Sequence, residues 1–164
     1  MTRTLILMRH AKSSWDNPVL DDHDRPLNKR GKRAAKSLGR WLRGQLWQPD
    51  QAIVSTAIRT RDTFGGLGLA LGAEFSPELY HANSAEMQMV LEMASGETVL
   101  MIGHNPGISE FANDMAARAH SHERFPDFPT GGTVVMRFDI ATWDQVEPGT
   151  GQVLDFVVPR ELPE

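Results

Sequence analysis

The chain has no cysteine, and that absence removes disulfide bridges, thiolate metal ligands and a cysteine nucleophile together. It has no excess of positive charge: 17 basic residues against 21 acidic ones leave a formal charge of −4, which argues against a general nucleic-acid binder. No apolar run approaches the ~18–20 residues that cross a bilayer. The short run near the N-terminus leads straight into Arg9-His10, unlike a signal peptide. There is no internal repeat, low-complexity segment or linker. With 164 residues, 40% of them apolar, the sequence is expected to form one domain over residues 1–164. A cytoplasmic location, with no membrane and no nucleic-acid partner, follows as the expectation.

What is present is a repeated strand–helix pattern. Thr4-Leu5-Ile6-Leu7-Met8 is a run rich in branched apolar residues, which reads as a buried strand, and it stops abruptly at Arg9-His10. Thr98-Val99-Leu100-Met101-Ile102 repeats the design and ends in Gly103-His104-Asn105-Pro106-Gly107. Between them, Asn28 is a plausible cap for a helix reaching about Gly44. Ala34, Ala35, Leu38, Trp41 and Leu42 fall on one face of that helix, and cations crowd the other with no acid to balance them. That basic face reads either as a solvated surface or as one that attracts an acidic or phosphorylated partner. Residues 51–54 make a second strand, after which Ser55 or Thr56 is expected to cap a helix through Leu67. Gly65, Gly66 and Gly68 should fray or break it, at roughly 1 kcal/mol each relative to alanine.

A third strand is expected at 73–76, and Asn83 with Glu86 fits a capping box for a helix over 84–94. Met87, Met89 and Met93 are read as packing residues of that helix. Asn105 and Pro106 sit at cap and first-turn positions of another helix, expected to bury Ile108, Phe111, Ala112, Met115 and Ala119. Two final strands lie near 133–138 and 153–158. The pattern predicts an α/β fold with a mostly parallel sheet covered by helices on both faces.

In open α/β sheets ligands bind beyond the carboxyl ends of the strands, so Arg9, His10, Arg59 and His104, each following a strand, are expected to meet. Guanidinium forks bind phosphate bidentately, and the helix starting near Asn105 offers backbone N–H groups and a positive dipole end. An imidazole beside two guanidiniums stays neutral and available as a nucleophile. The chemistry favoured is phosphoryl transfer to His10, with the arginines and His104 on the equatorial oxygens and water completing the hydrolysis. His120 and His122, a loop pair without neighbouring carboxylates, are not read as a metal site, and neither a metal nor a cofactor is expected.

Three ordered motifs carry a resemblance to a known family. Leu7-Met8-Arg9-His10-Ala11-Lys12-Ser13-Ser14-Trp15 resembles the N-terminal signature of the histidine phosphatase superfamily, whose fold is phosphoglycerate mutase-like. Ser55-Thr56-Ala57-Ile58-Arg59-Thr60-Arg61-Asp62-Thr63 resembles its second motif, and Ile102-Gly103-His104-Asn105-Pro106 its third. Asp24-Arg25-Pro26-Leu27, Arg30-Gly31 and the short length are most similar to the SixA-type phosphohistidine phosphatases. The resemblance implies a three-layer α/β/α sandwich and a metal-independent phosphatase. It makes His10 the phosphorylated nucleophile, Arg9 and Arg59 phosphate clamps, and His104 the second imidazole, with Asn105 beside them in the phosphate site.

The departures from the family pattern are Ala11 for glycine, Asp16 where mutase-like members often place an asparagine, and His81 where many place a glutamate acid. His81 is thereby a candidate proton donor, with Glu78 and Asp24 as the other acid candidates. The implied substrate is phosphohistidine in a protein. A small phosphorylated metabolite, or a weakly catalytic phosphate-binding module, stays open as the alternative.

Overall fold

The computed structural model of the chain describes residues 1–164. Six strands form one sheet in the order β3-β2-β4-β1-β5-β6. They are β1 (Arg3–Arg9), β2 (Gln51–Ser55), β3 (Ala73–Ser76), β4 (Thr98–Gly103), β5 (Thr133–Phe138) and β6 (Gln152–Val157). The first four run parallel, and β5 is antiparallel to both of its neighbours. The crossovers contain α1 (Lys29–Arg43), α2 (Ile58–Leu67) and α3 (Ser84–Glu92), and α4 (Gly107–Met115) follows β4.

Strand periodicity decides the layering. Leu5 and Leu7 of β1 join Met87, Leu91, Ile108 and Phe111 in the larger apolar cluster, under α3 and α4. Ile6 and Met8 point the other way and pack with Leu38, Leu42 and Leu67, under α1 and α2. A sheet buried on both faces needs apolar residues without alternation, which is why β1 and β4 read as continuous runs. The architecture is a three-layer α/β/α sandwich, as the pattern predicts.

Local signals place most boundaries. Asn28 caps α1 by accepting from the Gly31 amide at 2.8 Å, and Gly44 ends it. Asn83 and Glu86 form both halves of the expected capping box on α3.

Four expectations need correction. Helix α2 runs unbroken through Gly65 and Gly66 and ends at Gly68, which holds a left-handed φ of 65°. Gly66 belongs to packing: a Cβ there would stand 2.6 Å from the Ala35 Cβ of α1. Neither Ser55 nor Thr56 caps α2, because their hydroxyls bond His104 and His23 instead. Met89 and Met93 are exposed, since α3 turns Met87 and Leu91, with Val90 beside them, toward the core. Helix α4 begins at Gly107 and stops at Met115, so Ala119 lies beyond it and is exposed.

The tight seam between α1 and α2 makes a sign prediction. Gly→Ala inside a helix ordinarily stabilises by about 1 kcal/mol. Gly65 has nothing within 4 Å of a built Cβ, so Gly65→Ala should gain about that much. At Gly39 the Cβ would come 2.1 Å from the Leu67 backbone carbonyl, so Gly39→Ala should lose about 1–3 kcal/mol instead. Urea denaturation of the two variants checks the opposite signs.

Candidate active site

Strands β1 and β4 pair in parallel with Arg9 opposite Gly103, and the His10 amide continues the ladder by donating to the Gly103 carbonyl at 3.1 Å. His10 and His104 therefore leave adjacent strands at one level. Their ring centroids are 5.3 Å apart, and both residues are buried. Arg59 arrives from the first turn of α2 and Arg9 from the end of β1. A pocket of about 350 Å³ at this edge is lined by Arg9, His10, Arg59, His81, His104 and Asn105, all six singled out from the sequence. Lys12, Ser13, Trp15, Asp22, Arg25 and Thr130 complete its wall.

The hydrogen bonds settle which nitrogen of each imidazole is free. His10 Nδ1 lies 2.7 Å from the Ala11 carbonyl oxygen, which can only accept. The proton thus sits on Nδ1, and Nε2 keeps the lone pair. His104 Nε2 lies 2.7 Å from Ser55 Oγ, while its buried Nδ1 has no protein partner. If the Ser55 hydroxyl donates, His104 carries its proton on Nδ1. Burial pushes the His10 pKa down to about 3, with Arg9, Arg59 and Arg25 adding to the effect against the Ala11 bond. Burial likewise lowers His104 to about 2, assisted by His10, Arg59 and His81. Both rings are neutral at physiological pH, and a neutral Nε2 is a nucleophile.

The arginines are organised by Asp22. Arg59 donates to the Asp22 backbone carbonyl at 2.6 Å and to its carboxylate at 2.9 Å. Arg25, itself buried, donates to the other carboxylate oxygen at 3.1 Å and to Ser13 Oγ at 2.7 Å. The Tyr80 hydroxyl donates to the same carboxylate at 2.6 Å. Partial desolvation works against ionisation of Asp22, but the bonds from Tyr80, Arg59 and Arg25 outweigh it and hold its carboxyl well below the usual range. Four cations (Arg9, Lys12, Arg25 and Arg59) then face a single carboxylate in this pocket. Arg9 Nε, Arg59 Nε and His104 Nδ1 are buried without a partner. Buried polar groups are ordinarily paired, an unmet one costing about 1–3 kcal/mol. Three of them around one positive pocket describe a receptor for an anion.

The remaining candidates separate by position. His81 sits at the pocket wall with a φ of 59°, a left-handed conformation uncommon for a residue with a Cβ. Its ring packs against Tyr80, with centroids 3.9 Å apart and planes tilted by 44°. Asn105 lines the pocket, but its amide nitrogen donates to the Asp127 and Phe128 carbonyls and its oxygen accepts from Ser109. That bonding makes its side chain a brace of the pocket wall.

Glu78 lies in a separate groove of about 500 Å³ beside β3, and Asp24 is exposed outside the pocket. Asp16 is exposed and does not line the pocket. His122 is 3.0 Å from Glu161. Sequence reasoning missed Asp22, Tyr80 and the link from Ser55 to His104. Asp22 is one of four aspartates in an aperiodic loop, and only the Arg25 segment hinted that this loop serves the site.

The model of the histidine phosphatase superfamily (branch 1) matches residues 5–90. An uncharacterized protein of Mycobacterium tuberculosis is 36% identical over 160 residues, spanning 93% of this chain and 100% of that one. Among solved structures, a protein from Nakamurella multipartitia provisionally named phosphohistidine phosphatase SixA is similar with a TM-score of 0.86. It is 29% identical, with 97% of both chains covered. A protein from Agrobacterium tumefaciens with the same provisional name gives 0.80 at 26% identity, covering 96% of this chain and 98% of that one.

The two neutral imidazoles predict a pH dependence of stability. Folded, they titrate near 3 and 2; unfolded, near the ordinary 6.5. Between these limits the unfolded chain binds more protons, so stability should fall as pH drops below about 6.5. Each histidine contributes a slope of up to about 1.4 kcal/mol per pH unit. The double variant His10→Asn/His104→Asn should show a flatter decline than wild type between about pH 6.5 and 4.5. Urea denaturation at constant ionic strength makes the comparison, and equal slopes would contradict the burial argument.

Proposed function

The chain belongs to the histidine phosphatase superfamily and is a phosphatase, and we propose that it works through phospho-His10 on phosphohistidine carried by a protein. The observation that carries the mechanism is the bare Nε2 of neutral His10, 5.3 Å between rings from His104, in a pocket walled by Arg9, Arg25 and Arg59. In the first step Nε2 attacks phosphorus in line. The N–P bond forms as the bond to the leaving group breaks, and the leaving group departs with a proton. Arg9, Arg59 and the Nδ1 proton of His104 hold the equatorial oxygens, where negative charge is spread. The cationic phosphohistidine ring keeps its Nδ1–H on the Ala11 carbonyl. Water then attacks phosphorus, returning neutral His10 and inorganic phosphate.

The substrate class rests on the proton inventory. An alkoxide leaving group requires a strong proton donor, whereas imidazole leaves readily from phosphohistidine once protonated. The pocket's one carboxylate is Asp22, held ionised by Tyr80 and two arginines, so it is no acid. The proton donor in this reading is His81, supported by its exposed position on the pocket wall. Trp15, 75% exposed, lies at the same pocket beneath the Arg25 guanidinium at 3.5 Å. A rim so exposed suits a side chain presented by another protein.

His10→Ala should lower kcat at least about a thousandfold on any substrate. Wild type quenched during turnover should carry a phosphoryl group that is labile to acid and stable to alkali, the behaviour of an N–P bond. Activity is expected to persist in excess chelator. A phosphohistidine protein should be hydrolysed with a higher kcat/KM than a panel of sugar and aryl phosphates. The reverse order would move the substrate to a small phosphomonoester, and an active His10→Ala enzyme would end the mechanism.

A further inference from the structure

Helix α1 carries seven cations in fifteen residues and no acidic residue, and none of the seven forms an ion pair. Arg43 bonds the Leu67 carbonyl and, with Arg40, suits the last turn, but the other five cations find no such use in the fold. Like charges three and four positions apart repel, and Lys29 and Arg30 oppose the helix dipole in the first turn. A chain with a net charge of −4 does not acquire such a concentration from its average composition.

The geometry gives these charges a direction. A groove of about 320 Å³ between α1 and the turn Pro159–Glu161 is walled by Arg30, Arg33, Lys36, Arg40 and Arg160, with Glu164 the one carboxylate. A second hollow of about 260 Å³ shares Arg30 and Arg160 with that groove and shares Lys12 and Thr130 with the reaction pocket. The three hollows thus join into one basic track that leads from His10 along α1.

We propose that this track is the docking surface for the phosphoprotein substrate, holding an acidic segment of it beside α1 while the phosphorylated side chain enters the pocket. The proposal rests on the reading of the substrate as phosphohistidine in a protein. Length selects the occupant. From Arg30 to Arg40 the helix rises about 15 Å, and the hollow at Lys12 extends the track further. A phosphorylated metabolite seated at His10 does not span that distance, whereas about six extended residues do.

The test uses two phosphohistidine peptides, one flanked by six glutamates and one by six glutamines, together with phosphoramidate ion as a substrate that reaches only the pocket. The wild type should prefer the glutamate peptide at least about tenfold in kcat/KM at low salt, and lose that preference at high salt, where screening shortens the reach of charge. The variant R33E/K36E/R40E should lose the preference at every salt concentration while hydrolysing phosphoramidate at the wild-type rate. R33Q/K36Q/R40Q, which removes charge without adding carboxylates, should do the same and covers a failure of the first variant to fold. Equal wild-type rates on both peptides, or a preference that survives in the variants, overturn the docking surface alone. Hydrolysis of phosphoramidate with neither peptide touched overturns the protein-substrate reading, and the docking surface with it.

Discussion

The parallel register of β1 and β4 is the constraint on which the site depends. Neighbouring strands lie about 4.8 Å apart, and pairing Arg9 with Gly103 delivers His10 and His104 to one edge with their rings 5.3 Å apart. A slip of one residue would turn every side chain of a strand to the opposite face. The apolar residues of β1 and β4 serve two packed layers, and the layers hold the register. The chemistry is therefore aligned by the same burial that stabilises the sheet.

Electrostatics at that edge divides the labour among charged groups. Burial keeps the two imidazoles neutral, so the positive charge of the pocket resides on guanidiniums and lysine. Asp22 keeps Arg59 and Arg25 together at close range, where they would otherwise repel. Its carboxylate lines the pocket and is tied to Tyr80 as well. The arginines are thereby oriented before any substrate arrives, and preorganised charge is the form of catalysis that phosphoryl transfer most requires.

Two basic regions adjoin: neutral His10 and His104 line the edge of the sheet with Arg9, Arg59 and His81, while an unpaired basic surface flanks it along α1. The Lys12 loop joins the two, since Gly31 in the first turn of α1 lies so close to Lys12 that a Cβ there would meet its carbonyl oxygen at 2.1 Å. A backbone contact of that kind fixes the basic helix relative to the nucleophile.

How much was legible in the sequence depended on how local each signal is. The caps at Asn28 and Asn83, the apolar runs of β1 and β4, and the strand-end placement of Arg9, His10 and His104 depend on neighbours in the chain, and they came out where the sequence puts them. Helix α2 runs through Gly65 and Gly66, and at Gly66 Ala35 of another helix takes up the space of the missing side chain, which no local propensity contains. Ser55 was drawn from capping to orienting His104, and Asp22 from an aperiodic loop to the arginines, by partners 49 and 37 residues away. By itself the sequence determined the elements, the strand ends and the chemical types at them. Only the tertiary structure decided the His10 tautomer, the neutrality of both imidazoles and which carboxylate holds Arg25 and Arg59, because those depend on burial and on distances between residues remote in the chain.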